Sequence, residues 1–174
     1  MSNSGEPAVQ EARARGLETL HANLELPLSL ENRSVDWILC IDVLEHLLNP
    51  TVCLESAYRI LRDDGQLIIN VPNHFDWRGR IRVLFGSGID SQRYFPDSPH
   101  WEYPHVRFFQ RQSIEALLLK SGFIVQKDLS SRFTLFPKMV ALSRAGLVTP
   151  LLSLQRHWPD FFSSGFFLIC RKTP

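Results

Sequence analysis

The run Val35-Asp36-Trp37-Ile38-Leu39-Cys40-Ile41 is apolar at all but one position and stands between Ser34 and Asp42. It reads as a strand buried on both faces. Three polar groups follow it, Asp42, Glu45 and His46, set among Val43, Leu44, Leu47 and Leu48. In an open α/β sheet, ligands bind just beyond the carboxyl ends of the strands. An apolar strand that delivers two carboxylates and an imidazole to that edge is the first place to look for chemistry.

The flanking sequence supplies the rest of such a sheet. Residues 6–16 read as a helix with Pro7 in its first turn and Gly16 as its stop. Residues 17–24 are a short strand candidate, with Asn23 near its end. Asn49-Pro50 is an N-cap followed by a first helical residue. The helix it opens, residues 50–62, carries Val52, Cys53, Ala57, Ile60 and Leu61 on one side and a Glu55–Arg59 pair at i,i+4 on its surface. Asp63-Asp64-Gly65 reads as a turn, and residues 66–73 as a second buried strand ended by Pro72. Strand, helix, strand, helix, strand argues for a mostly parallel sheet.

Residues 74–109 break that rhythm. They are rich in aromatics, arginines and prolines, among them Trp77, Arg78, Arg80, Arg82, Phe85, Tyr94, Trp101, His105 and Arg107. Residues 78–85 read as one short helix and the remainder as a long loop; a loop of this length with this aromatic content is a functional one. Residues 110–122 return to a helical pattern, Ile114, Leu117 and Leu118, with Gly122 in the position after the C-cap. Residues 123–129 read as a strand, 136–156 as an apolar helical region and 166–172 as a terminal strand.

Composition narrows the function classes. The chain has 174 residues, enough for one domain with a sizeable core, and a formal net charge of +1. Such a balance gives no support to a nucleic-acid or membrane role that depends on bulk charge. No apolar run reaches the roughly 20 residues that a membrane span needs. The three cysteines, Cys40, Cys53 and Cys170, are scattered in apolar contexts and read as buried thiols of a cytoplasmic protein.

Several segments fall in one familiar order: residues 11–17, Leu26-Pro27-Leu28, Val35-Asp36, Leu44-Glu45-His46 with Asn49-Pro50, Tyr58-Arg59-Ile60-Leu61, Gly65-Gln66-Leu67-Ile68, residues 71–77, residues 104–109 and Ser121-Gly122-Phe123. In this order they resemble a class I S-adenosylmethionine-dependent methyltransferase, nearest to the MetW-like and ubiquinone-methyltransferase-like groups. The resemblance implies a Rossmann-like α/β sheet, mostly parallel with an antiparallel C-terminal strand, as one domain over 1–174 with residues 74–109 as a substrate-cover insertion. It also implies a glycine-rich turn after the first strand, where the backbone approaches the cofactor closely. No such cluster is present, so the resemblance implies an N-terminally incomplete sheet that begins just after the second strand.

Site residues follow from the same resemblance. Asn23 and Leu24 match the end of the third strand, near the cofactor's adenine; the bland alternative is that Asn23 simply ends a strand. Cys40 and Asp42 match the end of the fourth strand, beside the methionine part of S-adenosylmethionine, and Asp42 can equally cap the following turn. His46 is the candidate general base, required only if the methyl acceptor must lose a proton. Asp42-x-x-Glu45-His46 is similar to a pattern that holds a divalent ion in some ubiquinone-type and RNA-type relatives, while many relatives carry Leu-Glu-His as structural residues; no metal is assigned here.

Residue chemistry alone marks the acceptor side. Asn73, His74, Arg78, His105 and Arg107 are the candidate substrate-binding residues, and Arg78, Arg80, Arg82 and Arg107 suit an anionic acceptor. The competing reading packs the aromatics and solvates the arginines around them. Two functions of different class stay open. One is methyl transfer to a small-molecule or sugar-like acceptor. The other is a cofactor-free binding or partner protein on a degenerate methyltransferase scaffold, with a homodimer or another protein covering the incomplete sheet. Neither reading involves nucleic acid or membrane.

Overall fold

The computed structural model describes residues 6–89, 104–132, 153 and 157–174. Helix α1 (Glu6–Ala14) ends before Gly16, whose φ of 79° suits a residue without a Cβ. Strand β1 (Val35–Ile41) leads into a 3-10 turn (Leu44–His46) and helix α2 (Pro50–Ile60). Strand β2 (Leu61–Pro72), helix α3 (Trp77–Leu84), helix α4 (Arg111–Lys120) and strand β3 (Phe123–Asp128) follow, and strand β4 (Gly165–Lys172) closes the chain. The sheet order is β1-β2-β4-β3. β1 and β2 pair in parallel, and β4 pairs antiparallel with both β2 and β3. Three strands therefore run one way and the C-terminal strand runs against them, as the sequence leads one to expect.

The core forms where apolar periodicity meets this sheet. From Gly65 onward alternate residues of β2 are buried, and Leu67, Ile69 and Val71 are fully enclosed with Phe166, Leu168 and Cys170 of β4. α2 contributes Leu54, Ala57 and Ile60, and α4 contributes Ile114 and Leu118. Each fully buried leucine, isoleucine, valine or phenylalanine of this set stabilises the fold by about 1.5–3 kcal/mol relative to exposure. Gly122, at φ 85°, ends α4 where a Cβ would meet the Tyr58 ring at 2.7 Å, so both conformation and space require glycine.

Five expectations are corrected. β1 is not buried on both faces: Cys40 is buried, whereas Trp37 and Leu39 are 56% and 66% exposed. Among the described residues β1 pairs with β2 alone, and Trp37, Leu39 and Ile41 remain exposed. Residues 17–24 form no strand; they run as irregular chain into a turn. Asp63-Asp64-Gly65 is a bulge inside β2, which advances from Leu61 to Gln66 while β1 advances from Val35 to Trp37. The buried face of α2 is centred on Leu54, with Val52 and Cys53 only partly covered. Finally, Arg59 does not pair with Glu55; its guanidinium donates to the Leu28 and Leu30 carbonyls and to Asn32, fastening the connection that precedes β1. The expected helical region at 136–156, apart from Ser153, and the aromatics Tyr94 and Trp101 lie outside the described residues.

Candidate functional site

The parallel register brings Ile41 beside Asn70, so β1 and β2 end together. The Asp42 N–H extends the ladder by one step to the Asn70 carbonyl at 3.0 Å, and the chain then turns out of the strand with Asp42 at φ 51°. Aspartate tolerates this left-handed conformation better than most residues. One Asp42 carboxylate oxygen accepts from the Asn70 side-chain amide at 2.8 Å. The exposed carboxylate is thus held over the carboxyl edge of the sheet. Asn70 escaped the sequence reading; its signal was an amide interrupting the apolar alternation of residues 66–73.

The 3-10 turn carries Glu45 inward, only 1% exposed, and His46 partly outward. A strap of chain, residues 104–109, clasps this turn. The Val106 and Arg107 N–H groups donate to the Glu45 carbonyl at 2.9 and 3.0 Å, and the Arg107 guanidinium donates to the carbonyls of Leu47 and Leu48. His46 Nδ1 lies 3.0 Å from the Pro104 carbonyl. A carbonyl only accepts, so Nδ1 carries the proton and neutral His46 presents its lone pair on Nε2.

The strap also inserts His105. Its Nε2 lies 3.9 Å from the Glu45 carboxylate, its Nδ1 is hydrogen-bonded to His74 Nε2 at 2.7 Å, and its ring sits 4.8 Å from that of His46. Glu45, His46 and His105 bring ligand-type atoms within 4.8 Å of one another. A carboxylate with two imidazoles is chemically able to hold a borderline transition-metal ion. Asp42 does not join this set, because its carboxylate is directed to Asn70.

Beyond β2, helix α3 is seated on the turn at residues 73–76. Asp76 caps it, accepting from the Gly79 N–H at 2.8 Å. A Cβ at Gly79 would fall 2.0 Å from the His74 carbonyl, so this glycine sets how closely α3 approaches His74. Asn73, 5% exposed, ties the turn to the chain before β4: its amide donates to the Asp160 and Ser163 carbonyls, and its oxygen accepts from the Phe75 N–H. A pocket of about 420 Å³ opens here, lined by Pro72, Asn73, His74, Asp76, Arg78, Arg82 and Ser164.

A second, apolar groove of about 280 Å³ lies between the chain at residues 24–30, β1 and α2. Leu24, Cys40 and Cys53 are among the residues that line it. The Cys40 thiol is pushed up by its hydrogen bond to Cys53 and by burial, and Cys53 is lowered by accepting that bond.

The site residues read from sequence therefore separate into groups. His74 and Arg78 share the polar pocket, and His46 and His105 stand together with His105 bridging to His74. Leu24 and Cys40 share the apolar groove, and Asp42 stands at the strand end. Asn23 stands apart: it is exposed, and its side-chain oxygen accepts from the Glu25 N–H at 2.9 Å in a local turn. Asn73 lines the pocket as a structural tie, and the Arg107 guanidinium is engaged by the clasp rather than directed at a ligand. Arg80 likewise donates to the Phe75 carbonyl and covers the Phe161 ring. Ser164 had no sequence signal beyond its place before the last strand.

Known proteins place this architecture. Over 122 residues, 68% of this chain, it is 32% identical to a probable S-adenosylmethionine-dependent methyltransferase of Mycobacterium tuberculosis, and it spans 38% of that relative's length. Its fold is similar to a solved S-adenosylmethionine-dependent methyltransferase of Thermotoga maritima, described as a possible histamine N-methyltransferase, at TM-score 0.63 and 20% identity over 97% of this chain and 70% of that one. A methyltransferase structure from Mesorhizobium loti matches at TM-score 0.61 and 16% identity, over 96% of this chain and 76% of that one. A family model describing a methyltransferase domain matches residues 6–127. The chain belongs to the methyltransferase-domain family.

Proposed function

We propose that this chain carries the acceptor side, and one wall of the cofactor site, of an S-adenosylmethionine-dependent methyltransferase that acts on a small molecule in the cytoplasm. The observation that carries the reading is the convergence at one sheet edge. Asp42 is turned out at the end of β1 and fixed to Asn70 of β2, and the polar pocket opens directly beyond β2. Ligands of open α/β sheets bind at this edge. A pocket of about 420 Å³ lies within the range that suits a small metabolite.

Methyl transfer from a sulfonium is chiefly a matter of holding donor and acceptor in line. In this reading Asp42 contacts the methionine portion of the cofactor, and Leu24 and Cys40 offer apolar contact in the adjoining groove. His46, with its lone pair fixed on Nε2 by the Pro104 carbonyl, accepts a proton where the acceptor must lose one. The 104–109 strap serves as part of the acceptor cover.

Calorimetric titration of the chain with S-adenosylmethionine and its demethylated product tests this. Saturable binding weakened by Asp42→Ala is the expected outcome. Absence of binding at millimolar cofactor would sink the reading for this chain and favour a cofactor-free partner protein on the same scaffold.

A further inference from the structure

The polar pocket carries two arginines and one carboxylate in its described lining. We infer that it holds the acceptor through an anionic group, a carboxylate or a phosphate, gripped by Arg82; the inference rests on the proposal that this pocket is the acceptor's. Three of its lining residues carry full charges, Asp76, Arg78 and Arg82. Asp76 is 4% exposed and both its oxygens are engaged, one by the Gly79 N–H and the other by Arg78 Nε at 3.0 Å and Nη2 at 2.7 Å. That pair neutralises itself while building the pocket floor.

Arg82 stands one helical turn beyond Arg78, on the same side of α3 and lining the same pocket. Its guanidinium makes no hydrogen bond or ion pair with the described residues, and it is exposed. The other arginines of this region differ: Arg78 is paired with Asp76, Arg80 is committed to the Phe75 carbonyl and Arg107 to the clasp. Among the described residues one positive charge is therefore left facing the cavity, and the rest of the described lining, Pro72, Asn73, His74 and Ser164, supplies no second carboxylate. A guanidinium offers a planar fork that matches carboxylate and phosphate oxygens. A protonated amine in the same place would meet repulsion that no further carboxylate of the described lining offsets.

The test is calorimetry on the whole chain at low ionic strength, without cofactor, using inorganic phosphate, succinate and ethylammonium as separate probes. Saturable binding of at least one anion and none of ethylammonium is expected; the tighter anion identifies the group. In Arg82→Ala the affinity should fall about tenfold or more, with partial recovery in Arg82→Lys, which keeps the charge and loses the fork. An unchanged unfolding midpoint in both variants shows that the fold is intact, as the exposure of Arg82 leads one to expect. Failure of both anions to bind, or binding by Arg82→Ala equal to that of the parent chain, would overturn the inference. Because no cofactor is in the cell, phosphate binding through Arg82 in a chain that ignores S-adenosylmethionine would remove the methyl-transfer reading and leave the anion site standing.

Discussion

Cys170 shows how burial of one residue becomes a measurable property. It is fully buried in β4, and burial, assisted by the Glu115 charge, pushes its thiol from 9.0 up to about 12. Below the ordinary thiol range both folded and unfolded chains hold this proton. As pH rises above 9.0 the unfolded chain releases it while the folded chain retains it, so stability falls until the folded thiol also ionises near 12. The loss is about 1.4 kcal/mol per pH unit for one proton, or roughly 4 kcal/mol across the window. Cys40 acts in the same direction and Cys53 in the opposite one, so the contribution of Cys170 is isolated by substitution. Urea midpoints taken between about pH 9 and pH 11 should decline less steeply in Cys170→Ala than in the parent chain, by one proton's slope. Equal slopes would show that the thiol ionises in the folded protein as it does in water.

At the scale of elements, the 104–109 strap decides whether the site is ordered. It joins the 3-10 turn through two backbone N–H bonds to one carbonyl, through His46 to Pro104, and through Arg107 to Leu47 and Leu48. Arg107→Ala removes the guanidinium's share of that clasp and should cost about 1–2 kcal/mol. Amide hydrogen exchange at Val106 and Arg107 is expected to quicken, while that of Leu67 and Ile69 in β2 stays as it was. Exchange unaltered at the strap would mean that the backbone bonds suffice and that Arg107 is available for ligand. The sequence announced the helices and β2, β3 and β4 because caps, glycine stops and apolar alternation are local signals. The clasp left no such signal, since a cation on one segment and bare carbonyls on another, 59 residues away, share no pattern. Residues 17–24 misled for the complementary reason: their leucines, Leu17, Leu20 and Leu24, stand three and four apart without the alternation of a strand, and no described neighbour gives them a ladder.

Across the whole molecule, the same distinction separates the parts of the site. Asp42 was legible because a polar residue ending an apolar strand marks a sheet edge. The His74–His105–Glu45 contact and the lack of a partner for Arg82 among the described residues were not, because they arise only when β2, α3 and the strap converge. The sheet's other flank carries a consequence for solution behaviour. β1 exposes Trp37, Leu39 and Ile41 on an edge strand that pairs only with β2 among the described residues. Its backbone N–H and C=O groups on the free side offer a template for a further strand, and the apolar side chains reward any surface that covers them. At 66% exposure, Leu39 gives up little packing when replaced, so Leu39→Lys should leave the fold in place while adding a charge to the edge. Sedimentation velocity over a range of concentrations should show the parent chain shifting toward a dimer and Leu39→Lys remaining a monomer, with the two sharing one far-ultraviolet dichroism spectrum. A parent chain that stays monomeric at the highest concentration would show that water alone satisfies this edge.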